Sequence, residues 1–144
     1  MKQLALLVLL CCSMAAGSTP TDEILQHFTS SFPSATEVRW YDEEFGYEAR
    51  FKRDRIECRV QYDKKGNLVK STRFYYAQDL VPFIQARVKE AYPKQQIYGV
   101  TEVQTEEELK FYIVLQDEKR WYDIEVTSNG ETRLTKKFFK ALQN

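Results

Sequence analysis

Behind an apolar leader this sequence says nearly the same thing twice, and that repetition constrains its fold more than any motif does. Phe32-Pro33 closes one apolar helical segment, and Tyr92-Pro93 closes another sixty positions later. Further along, Tyr47-Glu48-Ala49-Arg50-Phe51 and the turn Asp63-Lys64-Lys65-Gly66 align with Phe111-Tyr112-Ile113-Val114-Leu115 and Thr127-Ser128-Asn129-Gly130 at a constant offset of 64. Self-similarity at a fixed period marks a chain built from copies of one supersecondary unit.

Each unit opens with a helix. In the first, Thr21 or Asp22 after Pro20 can cap it, and Glu23 complements the helix amino terminus. Ile24, Leu25, Phe28 and Phe32 recur at helical spacing, and Pro33 disfavours helix at the residue before it. The second helix is expected over 79–91, with Pro82 in its first turn and Ile84, Val88 and Tyr92 as its stripe. Period-two segments follow each helix: 37–42, 45–52, 55–62 and 68–76, then 97–104, 109–116, 120–127 and 131–138. Short links, including the two Gly-containing turns, make neighbouring strands antiparallel. No Gly/Ser linker separates the halves. The fold class read from this pattern is α+β: a tandem repeat of helix plus four-stranded antiparallel meander, in units of about 22–76 and 79–138. Both helices pack on one face of a continuous antiparallel sheet, and the other face stays open.

Strand alternation assigns residues to the two faces. The helix side receives Tyr47, Ala49, Phe51, Ile56, Cys58, Val60 and Tyr62, and their repeat mates Phe111, Ile113, Leu115, Arg120, Tyr122, Ile124 and Val126. The open side diverges between copies. Glu48, Arg50, Lys52, Glu57, Arg59 and Gln61 of the first unit become Tyr112, Val114, Gln116, Trp121, Asp123 and Glu125 in the second. Amphipathic aromatics on an exposed sheet are the residues that anchor protein interfaces. The competing expectation is that the tail 140–144 or a loop folds over them. Trp40 and Tyr41 belong to the same question, since one of an adjacent pair points each way.

Residues 1–17 read as a secretion signal. Lys2 precedes the apolar run from Leu4 to Leu10, and Ala15, Ala16 and Gly17 supply small residues for cleavage. The run is short of the roughly 20 residues of a membrane span. Cys11 and Cys12 bring lipid attachment to mind, but Leu10 and Cys11 stand where such a site wants a small residue. The mature domain is then 18–144, exported to the periplasm or beyond. Its 20 Lys and Arg, with Lys2 gone, face 21 Asp and Glu. That balance argues against nucleic acid, whose affinity rests on clustered cations.

Candidate chemistry is sparse. Cys58, the one cysteine left after signal removal, lies on an apolar strand face and reads as a small hydrophobe. His27 is the only histidine, and one His makes neither a metal cluster nor a catalytic pair. Glu106-Glu107-Glu108 and the Asp63–Asn67 turn lack the ligand spacing of a calcium loop. There is no phosphate loop, dinucleotide fingerprint or nucleophile motif. The expectation is no enzyme, no cofactor and no metal.

The run Phe32-Pro33-Ser34-Ala35-Thr36-Glu37-Val38-Arg39-Trp40, then Tyr47-Glu48-Ala49-Arg50-Phe51, then Tyr62-Asp63-Lys64-Lys65-Gly66-Asn67-Leu68, resembles the bacterial PepSY-like proteins. These are grouped with folds like that of the β-lactamase inhibitor protein. The second copy lacks the Trp and the Asp-x-x-Gly-Asn turn. The resemblance implies two helices on an antiparallel sheet and an inhibitory or chaperone-like role toward secreted enzymes, with no catalytic residues to transfer. The reading that results is an exported protein-binding module acting on an unidentified secreted or envelope protein, a hydrolase inhibitor or modulator among the options. Its face would comprise Trp121, Tyr112, Val114 and Asp123, with Trp40 or Tyr41. A small-ligand carrier using the same aromatic face is the alternative, and a homodimer through that face is left open.

Overall fold

A computed structural model describes residues 19–141; the segment read as a secretion signal, with Cys11 and Cys12, falls within residues 1–18, which together with 142–144 lie outside the described residues. The chain runs α1 (Asp22–Ser31), β1 (Thr36–Glu43), β2 (Gly46–Arg53), β3 (Ile56–Asp63) and β4 (Leu68–Tyr75). A single 3-10 turn follows, and then α2 (Pro82–Ala91), β5 (Gln96–Thr105), β6 (Leu109–Gln116), β7 (Arg120–Thr127) and β8 (Thr132–Phe139). All eight strands form one antiparallel sheet in sequence order, β1 to β8. The expected architecture, a helix and a four-stranded meander made twice, is the one found.

Local chemistry explains the helix ends. The Thr21 side chain accepts a hydrogen bond from the Ile24 amide at 3.4 Å, and Asp22 and Glu23 occupy the first turn of α1. The two helices close alike: the amides of Phe32 and Tyr92 donate to the carbonyls of Phe28 and Val88, each at 2.8 Å. The start of α2 corrects the sequence reading. Asp79 belongs to the 3-10 turn Ala77–Asp79, and Val81 is extended with ψ of 134°. Pro82 forces this, because its ring excludes helical backbone at the preceding residue while suiting the first helical position.

Two apolar clusters make up the helix side. Ile24 and Phe28 of α1 pack with Ala49, Phe51, Cys58, Val60 and Tyr62. Ile84 and Val88 of α2 pack with Tyr75, Leu80, Val100, Phe111, Ile113, Leu115, Tyr122, Ile124 and Val126. Ile56, half-buried at the start of β3, touches both clusters. The turns repeat as well: Gly66 and Gly130 hold φ of +88° and +85°, which only glycine adopts without cost.

The repeats meet at β4 and β5. Six residue pairs align there, from Lys70 opposite Thr105 to Tyr75 opposite Val100. Arg73 reaches both Glu102 carboxylate oxygens, at 3.1 and 2.6 Å, and the Tyr75 hydroxyl donates to the same carboxylate at 2.5 Å. Bidentate pairing of this kind is both strong and directional. Burial raises the Tyr75 hydroxyl pKa, and its bond to Glu102 raises it further.

Two stability predictions follow from this packing. Leu115→Ala, at a fully buried position, is expected to cost about 2–5 kcal/mol. Glu102→Ala strands a guanidinium and a phenol at the repeat junction and is expected to cost about 3 kcal/mol. Urea denaturation followed by circular dichroism measures both.

Candidate functional site: the open sheet face

The strands that bury one face in the two cores present the other to solvent, and pairing registers show which side chains share it. Tyr112 stands opposite Glu125, Val114 opposite Asp123, and Gln116 opposite Trp121. On β8, Phe138 faces Trp121 and Lys136 faces Asp123. Tyr112 and Phe138 are exposed, whereas Trp121, Val114 and Asp123 are half-buried. The structure therefore brings Trp121, Tyr112, Val114 and Asp123 together on one surface.

Trp121 is the centre of this surface. The Tyr98 ring meets it edge-on, with centroids 4.8 Å apart and planes at 79°. The Lys140 ammonium sits 4.8 Å from its ring centroid and donates to Gln116 Oε1 at 2.8 Å. The Lys140 amide extends the β7–β8 ladder by donating to the Lys119 carbonyl at 2.8 Å. Among the described residues of the tail, Lys140 lies against the indole, and Tyr112 is exposed.

Tyr98 escaped the sequence reading for a definable reason. Ile97 pairs with Leu115 and Gly99 with Val114, so Tyr98 is an extra residue in a β-bulge. A bulge resets alternation, which lets Ile97 and Val100 both join the core while Tyr98 turns outward. Gly99 is the available signal, since a glycine within a strand pattern marks a bulge or a close approach. Its repeat counterpart β1 has the same irregularity between Thr36 and Arg39, with Glu37 at φ +54°.

Trp40 and Tyr41 separate across the sheet. Trp40 packs on the first core, with ring centroids 5.2 Å from Phe28 and 6.1 Å from Tyr62. It cannot belong to the open face, because its register partner is the buried Ala49. Tyr41 does lie on that face, where the Arg50 guanidinium stacks 4.2 Å from its ring centroid.

The first repeat's half of the face is charged and tightly paired. Glu48 is only 5% exposed although it points away from the helices. Burial alone would raise its carboxyl pKa. Hydrogen bonds from Arg50 at 2.5 Å and Gln61 at 2.9 Å outweigh that and hold it below the ordinary glutamate range. Arg59 stacks 4.8 Å from the Phe74 ring centroid. In the second repeat, Glu125 receives Arg133 at 2.7 Å and Lys110 at 3.5 Å beside Tyr112. The face grades from a charged lattice around Glu48 to an aromatic patch around Trp121.

Other singled-out residues serve the fold. Burial pushes the Cys58 thiol up, and its sulfur lies 3.7 Å from the Ile56 carbonyl, which suits a packing group and not a nucleophile. His27 is exposed, with Nδ1 3.4 Å from the Tyr62 hydroxyl. Asp63 spends both carboxylate oxygens within its own turn, on the Lys65 and Asn67 amides and the Asn67 side chain, each at 2.9 Å. Glu108 pairs with Lys110 at 2.8 Å. Among the described residues, no three His, Cys, Asp or Glu side chains gather to hold a metal ion, and no helix is long and apolar enough to cross a membrane.

Asp117 anchors the turn that leads into Trp121. Its Oδ1 accepts from the Lys119 and Arg120 amides at 2.9 and 2.8 Å, and Oδ2 accepts from the Tyr122 hydroxyl at 2.5 Å. The Tyr122 bond, helped by the two amides, lowers its pKa from the ordinary 3.8 to about 2. A carboxyl depressed on folding adds stability that is present above pH 3.8 and lost as pH falls through about 2. Asp117→Asn should therefore flatten that part of the stability profile, measured by thermal melts across the acid range. A second comparison separates the two tryptophans: Trp40→Ala should lower the urea midpoint at least about twice as far as Trp121→Ala, because only Trp40 leaves a hole in a core.

No protein-family model matches the sequence, and no curated protein matches it. Solved structures do. A BLIP-like protein from Bacteroides fragilis is 18% identical, with a TM-score of 0.65 over 88% of this chain and 90% of that one. A DUF2874 family protein from Bacteroides ovatus is 20% identical, with a TM-score of 0.64 over 85% and 89%. A candidate periplasmic protein from Bacteroides eggerthii is 17% identical, with a TM-score of 0.62 over 84% and 89%. At such identities the likeness carries the fold alone. The chain therefore has the BLIP-like fold, two helices over an open eight-stranded antiparallel sheet, that these Bacteroides proteins share.

Proposed function

We propose that the mature chain is an exported, non-enzymatic protein-binding module whose open sheet face docks on a secreted or envelope protein, with a hydrolase as the favoured class of partner. One observation carries this reading. The two repeats keep the same apolar pattern on the helix side, yet on the open side the second repeat places Tyr112, Val114 and Trp121 where the first has Glu48, Arg50 and Glu57. Core-facing residues answer to packing, but an outward aromatic patch answers to something outside the chain.

The geometry fits a protein partner better than a small ligand. Interface hot spots are aromatic groups with cationic neighbours, ringed by polar residues that exclude water. Trp121 with Tyr98 and Lys140 supplies the centre, and Asp123, Glu125 and Arg133 supply the rim. Export, through the leader at 1–17, fits a partner outside the cytoplasm. The candidate periplasmic protein of similar fold agrees with that setting, and inhibition of a hydrolase is the finer part of the proposal.

The test immobilises the mature protein and passes over it the envelope and secreted fractions of its native host, beside Trp121→Ala and a Lys64→Glu control. The expected result is one protein retained by the parent and the control and lost with Trp121→Ala. Retention of the same set by all three would contradict the open face as the contact, and a co-purifying small molecule displaced by Trp121→Ala would favour the carrier reading instead.

A further inference from the structure

The tandem repeat has two ends, and each end carries half of a contact that the molecule already makes once. β4 pairs with β5 in the middle of the sheet. By the repeat, β8 is the counterpart of β4 and β1 the counterpart of β5, and these are the two edge strands. The correspondence holds residue by residue. Cys58 opposite Arg73 in the first unit becomes Tyr122 opposite Lys137 in the second. Likewise Glu102 opposite Phe111 corresponds to Asp42 opposite Tyr47.

We infer that β8 of one copy pairs with β1 of a second copy in the register of the internal β4–β5 junction, so that the chain assembles head to tail into a longer sheet. Translating that junction onto the edges sets Lys136 opposite Glu43, Lys137 opposite Asp42, Phe138 opposite Tyr41, and Phe139 opposite Trp40 of the next copy. Lys137 and Asp42 then stand where Arg73 and Glu102 form their bidentate pair in the middle of the sheet. Phe139 takes the place of Tyr75, which is buried beside Val100 in the internal junction.

Charge and exposure agree with this register. β8, TRLTKKFF, carries three cations and no acid, whereas β1, TEVRWYDE, carries three acids and one cation. Cross-strand pairs of opposite charge stabilise a sheet and like pairs oppose it. Two β8 edges would repel, two β1 edges would repel, and β8 against β1 attracts. The selected contact is therefore heterologous, which propagates as a filament or closes as a ring. Among the described residues, the large hydrophobics over 70% exposed are Phe45 at 78% and Phe139 at 71%, the first beside the β1 edge and the second on β8. The bulge in β1 does not interfere. It lies between Thr36 and Arg39, outside the stretch 40–43, just as the β5 bulge lies outside the residues that pair with β4.

Sedimentation of the mature chain at low and high salt tests this, using Lys136→Glu/Lys137→Glu and Asp42→Lys/Glu43→Lys. The parent should self-associate, less so as salt rises. Each reversal alone should weaken association about tenfold. An equimolar mixture of the two variants should restore it, because the acidic β8 of one then meets the basic β1 of the other. Restoration also shows that both variants are folded. A parent that stays monomeric up to about 1 mM, which bounds the affinity at the weakest measurable level, overturns the inference. So does association that survives both reversals, or a mixture that fails to restore it.

Discussion

The β4–β5 junction is the contact on which the rest of this structure depends. A helix with a four-stranded meander buries only a small core, and two such units joined by a flexible linker would be two marginal domains. Here the backbone ladder runs unbroken from β4 into β5, and Arg73, Glu102 and Tyr75 lock its register. Ile56 bridges the two apolar clusters on the helix side of that seam. The result is one eight-stranded platform, whose far face runs across both copies.

That platform divides labour by face. The helix side of each repeat solves the same packing problem with the same residue types, so Val60 and Ile124, or Ala49 and Ile113, occupy matched and fully buried positions. The open side is under no such constraint. Around Glu48 it closes on itself, with a carboxylate held by Arg50 and Gln61 and a tyrosine capped by a guanidinium. Around Trp121 it stays aromatic, with Tyr112 and Phe138 exposed. The shared fold of Bacteroides BLIP-like and DUF2874 proteins supplies the platform, and the residues on it supply whatever specificity each chain has.

Most of the framework was legible in the sequence because it rests on periodicity. Helix stripes at Ile24/Phe28 and Ile84/Val88, strand alternation through 47–62 and 111–126, and two glycine turns each report a local rule. What escaped was governed by departures from those rules. The phase of β1 depends on where its hairpin turns, so Trp40 and Tyr41 could not be assigned until Glu43 was found opposite Gly46. Tyr98 lies on the open face because it is the extra residue of a bulge that breaks alternation. Glu48 reads as a solvated charge, and its burial arises from neighbours on two other strands. Lys140 is remote in sequence from Trp121 and meets it through the β7–β8 ladder.

If the two repeats are one cooperative platform, their most protected amides should open together. Native-state hydrogen exchange at Val60 and Ile124, repeat mates at the centres of β3 and β7, tests this most directly, because each reports the opening of its own core. The account predicts equal opening free energies at the two sites, falling together with urea at the slope of global unfolding. A first repeat that opens at lower free energy while Ile124 stays protected would contradict it, and would make the sheet two hinged halves instead of a single surface.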